Sequence, residues 1–278
     1  MVPILCLVVM AYDEYDEPEF EPEPEEEDQW EEQAVDVLGE FFEKHKERVF
    51  YYRQIEVFHE DSFFHWVTNR ALHRIIGETV LTEQEKLAYG PTINFVWHKS
   101  LRYYRRERKK LKNLVEEYSD PNVGAHLGLN GELITLEAFA RKQFLLVGRH
   151  TNSYRDRVWP ESKHNLDFIF EKDSVAYGME VKNQLRYPDY EEIRRTMRLC
   201  EFLGVRPVFV VRMMPKNWVY EVRQGGGFVL ILKYQLYPLS HRTIAKRVAA
   251  ELGLPVDSPR ELKDATMERF LKWHRKIM

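Results

Sequence analysis

Asp167, Glu180 and Lys182 are the residues of this 278-residue chain whose types and spacing best suit chemistry. If Val175 to Lys182 (VAYGMEVK) is a strand, alternate side chains face opposite sides. Val175, Tyr177, Met179 and Val181 then line one face, and Ala176, Gly178, Glu180 and Lys182 the other. The preceding run (NLDFIF) divides the same way, with Leu166, Phe168 and Phe170 toward the core and Asn165, Asp167 and Ile169 away from it. A turn over Glu171 to Ser174 that pairs Asp167 with Gly178 would set Asp167 diagonally beside Glu180, whereas a one-residue slip would put them on opposite faces. Two carboxylates beside a lysine suit a hard divalent cation such as Mg2+, with Mn2+ as its substitute. Such an ion polarises a phosphoryl oxygen and acidifies water, while Lys182 holds or deprotonates the attacking water and neutralises developing charge. That chemistry is phosphodiester hydrolysis. The same pattern also describes a surface hairpin with a stray salt bridge.

The elements that must position these residues follow from periodicity and punctuation. A helix over Gly131 to Lys142 precedes a strand at Phe144 to Gly148 and strands at Asn165 to Phe170 and Val175 to Lys182. A helix over Tyr190 to Leu203, a strand at Pro207 to Arg212, a helix from near Lys216 and a strand at Phe228 to Leu232 follow. This order predicts an α/β or α+β domain on one mixed sheet over residues 121–238. Residues 239–278 form a helical extension, in which Ser240 to Leu252 reads as a serine-capped amphipathic helix stopped by Gly253.

Residues 33–120 read as an all-α or nearly all-α domain, with apolar residues at helix spacing in Ala34, Val37, Leu38, Phe41 and Phe42. Ser62 to Gly77 has Ser62 as N-cap, a buried stripe of Phe63, Trp66, Val67, Ala71 and Ile75, and an exposed set of Thr68, Asn69, Arg70, His73 and Arg74. It resembles the recognition helix of winged-helix domains, with Glu78 to Thr82 leading into a wing. A third helix, Ile93 to Tyr118, carries Lys99, Arg102, Arg105, Arg106, Arg108, Lys109, Lys110 and Lys112 with Tyr103 and Tyr104, a density suited to phosphate. A long solvated connector would read the same. Ser119 to Asn122 stops this helix and marks the domain boundary.

The charge balance suits either a polyanionic partner or merely a well-solvated surface. Residues 1–32 hold 13 of the 45 acidic residues and no Lys or Arg, which leaves 41 basic against 32 acidic residues in the remainder. The Pro- and carboxylate-rich run Asp13 to Glu32 is expected to be disordered, either merely solvated or acting as a nucleic-acid mimic against the basic surface. Met1 to Ala11 is apolar but too short to span a bilayer and lacks a basic flank, so neither secretion nor membrane insertion is expected. Two cysteines, Cys6 and Cys200, exclude a disulfide framework or a cysteine zinc site and accord with a cytoplasmic location.

Asp167, then Glu180-Val181-Lys182 at the far end of a hairpin, behind a helix bearing an acid, resembles the PD-(D/E)XK nuclease superfamily, nearest to archaeal Holliday-junction resolvases and Mrr-type restriction endonucleases. The resemblance covers Gly131 to Leu232 and implies a restriction-endonuclease-like core. It makes Asp167, Glu180 and the backbone carbonyl of Val181 the metal ligands, with Glu132 as the helical acid and Glu137 as the weaker alternative. Leu166 stands where the family usually has proline, and no Gln-x-x-x-Tyr follows on the next helix. Arg149, His150, Arg155 and Arg157 lie where a loop would overhang the site and grip phosphate. Asn183 and Gln184 either contact phosphate or cap the strand. His59, His65, His150 and His164 lack zinc-ligand spacing and read as surface or packing residues, and Gly225 to Gly227 as a loop. The resemblance thus implies a Mg2+-dependent DNA endonuclease for duplex or branched DNA in repair, recombination or restriction, acting as a homodimer if it cuts both strands. The alternatives are an inactive DNA-binding or regulatory scaffold and an RNA-processing nuclease.

Overall fold

Two main sheets organise residues 24–278 other than 89 and 91, the part of the chain that this computed structural model describes. Met1 to Ala11 and the acidic run up to residue 23 lie outside the described residues. The first sheet belongs to α1 (Pro24–Lys44), β1 (Val49–Tyr51), α2 (Tyr52–Phe58), α3 (His65–Ile75), β2 (Val80–Lys86) and β3 (Thr92–His98), with strand order β1-β3-β2 and antiparallel pairing throughout. The N-terminal half is therefore not nearly all-α, and residues 93–98 are a strand rather than the start of the basic helix. The reason is two-sided burial. Phe95 and Trp97 enter one core cluster while Val96 enters another with Phe50 and Val80, so the apolar run shows no polar face by which to recognise a strand.

α1 packs Ala34, Leu38 and Phe42 against Val67, Ala71 and Ile75 of α3. It takes in residues 24–32 of the acidic run expected to be disordered: Trp30 stacks on Phe64, and Glu31 pairs with Arg70 at 2.8 Å and Arg74 at 3.5 Å. In α3 the N-cap position is Phe64, without a side-chain cap, so Ser62 does not cap it. Thr68 is buried, contrary to its expected exposure, and Trp66 is partly outward.

The basic helix is α4 (Tyr104–Tyr118), and α5 (Pro121–Arg141) follows after Asp120, whose side chain accepts a hydrogen bond from the Asn122 amide at 2.8 Å. α5 thus begins well before the expected Gly131. Next come β4 (Leu145–Thr151), the small hairpin β5 (Ser153–Tyr154) and β6 (Arg157–Val158), β7 (Leu166–Lys172), β8 (Val175–Lys182), α6 (Tyr190–Leu203), β9 (Arg206–Val211), α7 (Lys216–Gln224) and β10 (Phe228–Ile231). The second sheet has order β10-β9-β8-β7-β4, parallel from β10 to β8 and antiparallel from β8 to β4, with β4 at the edge.

Helices cover both faces of this mixed sheet. Ile134, Ala138 and Phe139 of α5 pack against Phe168, Phe170, Tyr177 and Met179, joined by Phe270 of the last helix. Leu199 and Cys200 of α6 pack on Ile169, and Val222 of α7 on Phe209 and Val229.

The C-terminal segment departs from the single helix expected after Ser240. β11 (Gln235–Leu236) pairs with β12 (Val256–Asp257), and between them lie a 3-10 turn at Leu239–His241, α8 (Arg242–Arg247) and a π-type turn at Val248–Leu252, with no serine cap. Gly253 ends the run at φ 68°, as a left-handed stop requires. α9 (Asp264–Ile277) completes the chain's elements. One core cluster crosses residue 120, joining Phe95 and Trp97 of β3, Leu114 of α4, Val123 and Leu127 of α5 and Val248. None of the helices among the described residues is long and apolar enough to cross a membrane.

Candidate metal centre

A two-residue turn, Asp173 and Ser174 at φ 50° and 65°, joins β7 to β8 and sets the register on which the site depends. Phe168 faces Met179 and Ile169 faces Gly178, so the next pair along the ladder is Asp167 with Glu180. Asp167 is thus directly across from Glu180 instead of paired with Gly178, because the turn uses two residues where four were expected. Leu166 also departs from its expected face, packing with Ile169 and Cys200. The polar face of β8 lies beneath α6: a Cβ at Gly178 would come within 2.6 Å of Cys200 Sγ. The small residues Ala176 and Gly178 admit the helix, and Glu180, 4% exposed, comes after them.

Two further groups join this pair. Arg149 faces Phe168 and Thr151 faces Leu166, which places His150, at φ 46°, across from Asp167 on the other side. His150, Asp167 and Glu180 therefore form a rank across three adjacent strands. From α5, Glu132 reaches the same place, and Glu132, His150 and Asp167 each offer a ligand atom, all within 4.8 Å of one another. Glu132 Oε2 lies 3.4 Å from His150 Nε2 and 3.6 Å from Arg149 Nη2 yet accepts no hydrogen bond. Glu180 Oε2 likewise accepts none. Each glutamate thus buries a carboxylate oxygen without a hydrogen bond, which is costly and which a bound cation would relieve, although Glu180 is not among the three residues whose ligand atoms lie within 4.8 Å of one another.

No protein-family model, curated protein or solved structure matches this chain.

Electrostatics follow from burial. Asp167 is raised above the usual carboxylate range by burial, opposed by the Val181 amide that donates to its Oδ2 at 2.8 Å and reinforced by the charge of Glu132. Burial first and then the charge of Asp167 push Glu180 up to about 7. Lys182 Nζ sits 2.8 Å from Glu180 Oε1 and 2.6 Å from Glu192 Oε1. Burial disfavours its ammonium, but Glu180 and Glu192 outweigh that and carry it up to about 12. Lys182 is therefore a cation held between two carboxylates.

The remaining expected site residues fall into three groups. Glu137 points to Arg141 at 4.0 Å and takes no part in the cluster. Arg155 stacks over Tyr154 and lies 3.8 Å from Glu171, four residues along β7 from Asp167, while Arg157 donates to the Phe202 carbonyl. Of the four basic residues expected to overhang the site, only Arg149 and His150 reach it. Asn183 is buried and spent on structure, bonding the Leu127 and Leu236 carbonyls and the Leu236 amide at 2.7 Å, so it is a strand cap and not a phosphate contact. Gln184 bonds the Tyr187 carbonyl at 3.2 Å. On the N-terminal half, Arg70 and Arg74 share Glu31, Arg108 pairs with Glu83 and Glu85, and Arg105 lies over Tyr104. Arg102, Arg106 and Lys109 are exposed, with no side-chain ion pair among the described residues.

Sequence reasoning missed the part of two residues. His150 is expected to overhang the site as a phosphate contact and lacks zinc spacing, but its position opposite Asp167, which a bulge between Leu146 and Gly148 re-aims, brings it to the carboxylates themselves. Glu192 had a legible signal: it lies in the first turn of the helix that leaves the carboxyl end of β8, where Asp189 caps the helix, so it faces the strand end that carries Lys182.

Proposed function

We propose that the chain is a divalent-metal-dependent endonuclease of the PD-(D/E)XK type that hydrolyses DNA. The observation that carries this reading is Asp167 directly opposite Glu180, with Glu132 and Lys182 converging on them and a carboxylate oxygen of each glutamate unbonded. Asp167, Glu180 and Glu132, with the Val181 carbonyl by resemblance, would hold the ion. When bound, the ion supplies Lewis-acid polarisation of the phosphate and acidifies water. Lys182 donates from its ammonium to the attacking water and offsets the charge that builds on the phosphate as a P–O bond of the backbone breaks. Glu192 keeps that ammonium in place. The order helix, strands β4, β7 and β8, helix, strand β9, with β8 parallel to β9, supports the restriction-endonuclease-like reading.

The N-terminal half supports a winged-helix reading. The element order helix, strand, helix, helix, strand, strand and the sheet order β1-β3-β2 support it; in this reading α3 would be the recognition helix and the β2–β3 hairpin the wing. With Arg70 and Arg74 tied to Glu31, the unpaired Arg102, Arg106 and Lys109 are the cations best placed to take DNA phosphates. The test is nicking of duplex and branched DNA in Mg2+ and in Mn2+. Asp167→Asn and Lys182→Ala should abolish cleavage while binding is retained. Full cleavage in either variant, or none in the wild type with either ion on any DNA, overturns the proposal.

A further inference from the structure

We infer that His150 is a nitrogen ligand in this centre, and that the centre therefore takes a first-row transition ion such as Mn2+ in preference to Mg2+. The inference rests on the nuclease reading for the ion's purpose but on its own geometry for the ligand. His150 flanks Asp167 across the β4–β7 ladder just as Glu180 flanks it across β7–β8. Its ring nitrogen shares with Glu132 and Asp167 a space in which all ligand atoms lie within 4.8 Å. Independently, Glu180, nine-tenths buried on the opposite flank of Asp167, has a carboxylate oxygen with no hydrogen-bond partner.

Ligand chemistry decides the ion. Mg2+ demands oxygen donors and keeps its waters, whereas imidazole nitrogen suits first-row transition ions, most of all the later ones; Mn2+ is the weakest of that series and the nearest to Mg2+ in its liking for carboxylates. A set in which the carboxylates of Glu132 and Asp167 are joined by one imidazole thus favours Mn2+ over Mg2+ relative to an all-oxygen set. The backbone is committed to this placement, since His150 holds a left-handed conformation at φ 46° that costs a non-glycine residue stability. Its ring is half exposed and, among the described residues, pairs with Glu132 alone, so replacing it removes a donor without emptying a core.

The experiment uses the full chain loaded with Mn2+ and examined by pulsed EPR for 14N coupling. It is paired with calorimetric affinities for Mn2+ and Mg2+ in the wild type, His150→Gln and Asp167→Asn. Glutamine keeps an oxygen donor but removes the nitrogen. The expected result is 14N coupling in the wild type and its loss in His150→Gln. That variant should bind Mn2+ at least about tenfold more weakly and Mg2+ about as before. Asp167→Asn should lose both ions. Mn2+ bound and lost in Asp167→Asn, but without 14N coupling or with His150→Gln unchanged, overturns the role of His150 and leaves the carboxylate centre standing. No saturable binding in the wild type, or binding unaffected by Asp167→Asn, removes both.

Discussion

Glu180 is a residue held against its own preference. Its carboxyl is raised from 4.5 to about 7 by burial and by Asp167, so between those values the folded chain binds more protons than the unfolded one. Stability must then fall as pH rises through that window, by roughly 3 kcal/mol for this group, and the loss persists above it. In chelator at pH 8, Glu180→Gln should raise the thermal midpoint, whereas at pH 4.5 it should change little; equal effects at both pH values would remove the account. Adding a divalent cation should reverse the ranking. The acids were legible in the sequence because strand alternation and helix offset are local rules. For His150 only a place over the site was legible and not its place among the carboxylates, since that depends on a bulge and a left-handed residue, neither of which leaves a mark in the pattern.

The β7–β8 hairpin shows how an element delivers such residues. The boundaries of β8 at Val175 and Lys182, like those of α6 at Tyr190 and Leu203, follow the sequence reading to the residue, because each is bracketed by a turn or a cap, whereas β7 runs from Leu166 to Lys172 instead of Asn165 to Phe170. The hairpin's register does not follow that reading, because the count of turn residues is a property of two left-handed positions, Asp173 and Ser174. The face that carries Glu180 tolerates no bulk: in Gly178→Ala the added methyl would meet Cys200 Sγ at 2.6 Å and Leu166 Cδ1 at 2.8 Å. Denaturant unfolding should register a loss of about 1–3 kcal/mol, with the site disturbed as α6 is pushed outward. A neutral Gly178→Ala would mean that α6 gives way freely. β3 marks the other limit, since a strand buried on both faces has no periodicity with which to declare itself.

Across the whole molecule the two halves are joined by a buried ion pair. Arg212, 2% exposed at the end of β9, donates to both oxygens of Glu60 at 2.5 and 2.6 Å and to the Leu185 carbonyl. His65, stacked on Tyr187, lies 3.3 Å from the same glutamate. The pair links the end of α2 to the segment just after Lys182. Burial works against the Glu60 carboxylate, but Arg212 and His65 outweigh it and hold its pKa below the usual carboxylate range, so its contribution to stability is lost as pH falls. Glu60→Leu alone should cost about 3–5 kcal/mol by stranding the guanidinium, and Glu60→Leu with Arg212→Leu should recover most of that in the same chemical melt. A double variant no better than the single would show that the pair contributes attraction and not merely mutual neutralisation. Nothing in the sequence announces this contact, because its partners are 152 positions apart.

β4 is the outermost strand of its sheet, with Leu145 and Val147 substantially exposed, and it reaches the centre by His150. An edge strand has neighbours on one side only, so its backbone opens more readily than that of the strands inside. An ion gripped jointly by His150, Glu132 and Asp167 would bind the strand as firmly as the strand binds the ion, tying the rim of the sheet to α5. Hydrogen-deuterium exchange should therefore slow at the amides of Arg149 to Thr151 when Mn2+ is added, while β9 and β10 stay unchanged. Uniform exchange across the sheet would instead mean that the rim is indifferent to what the centre holds.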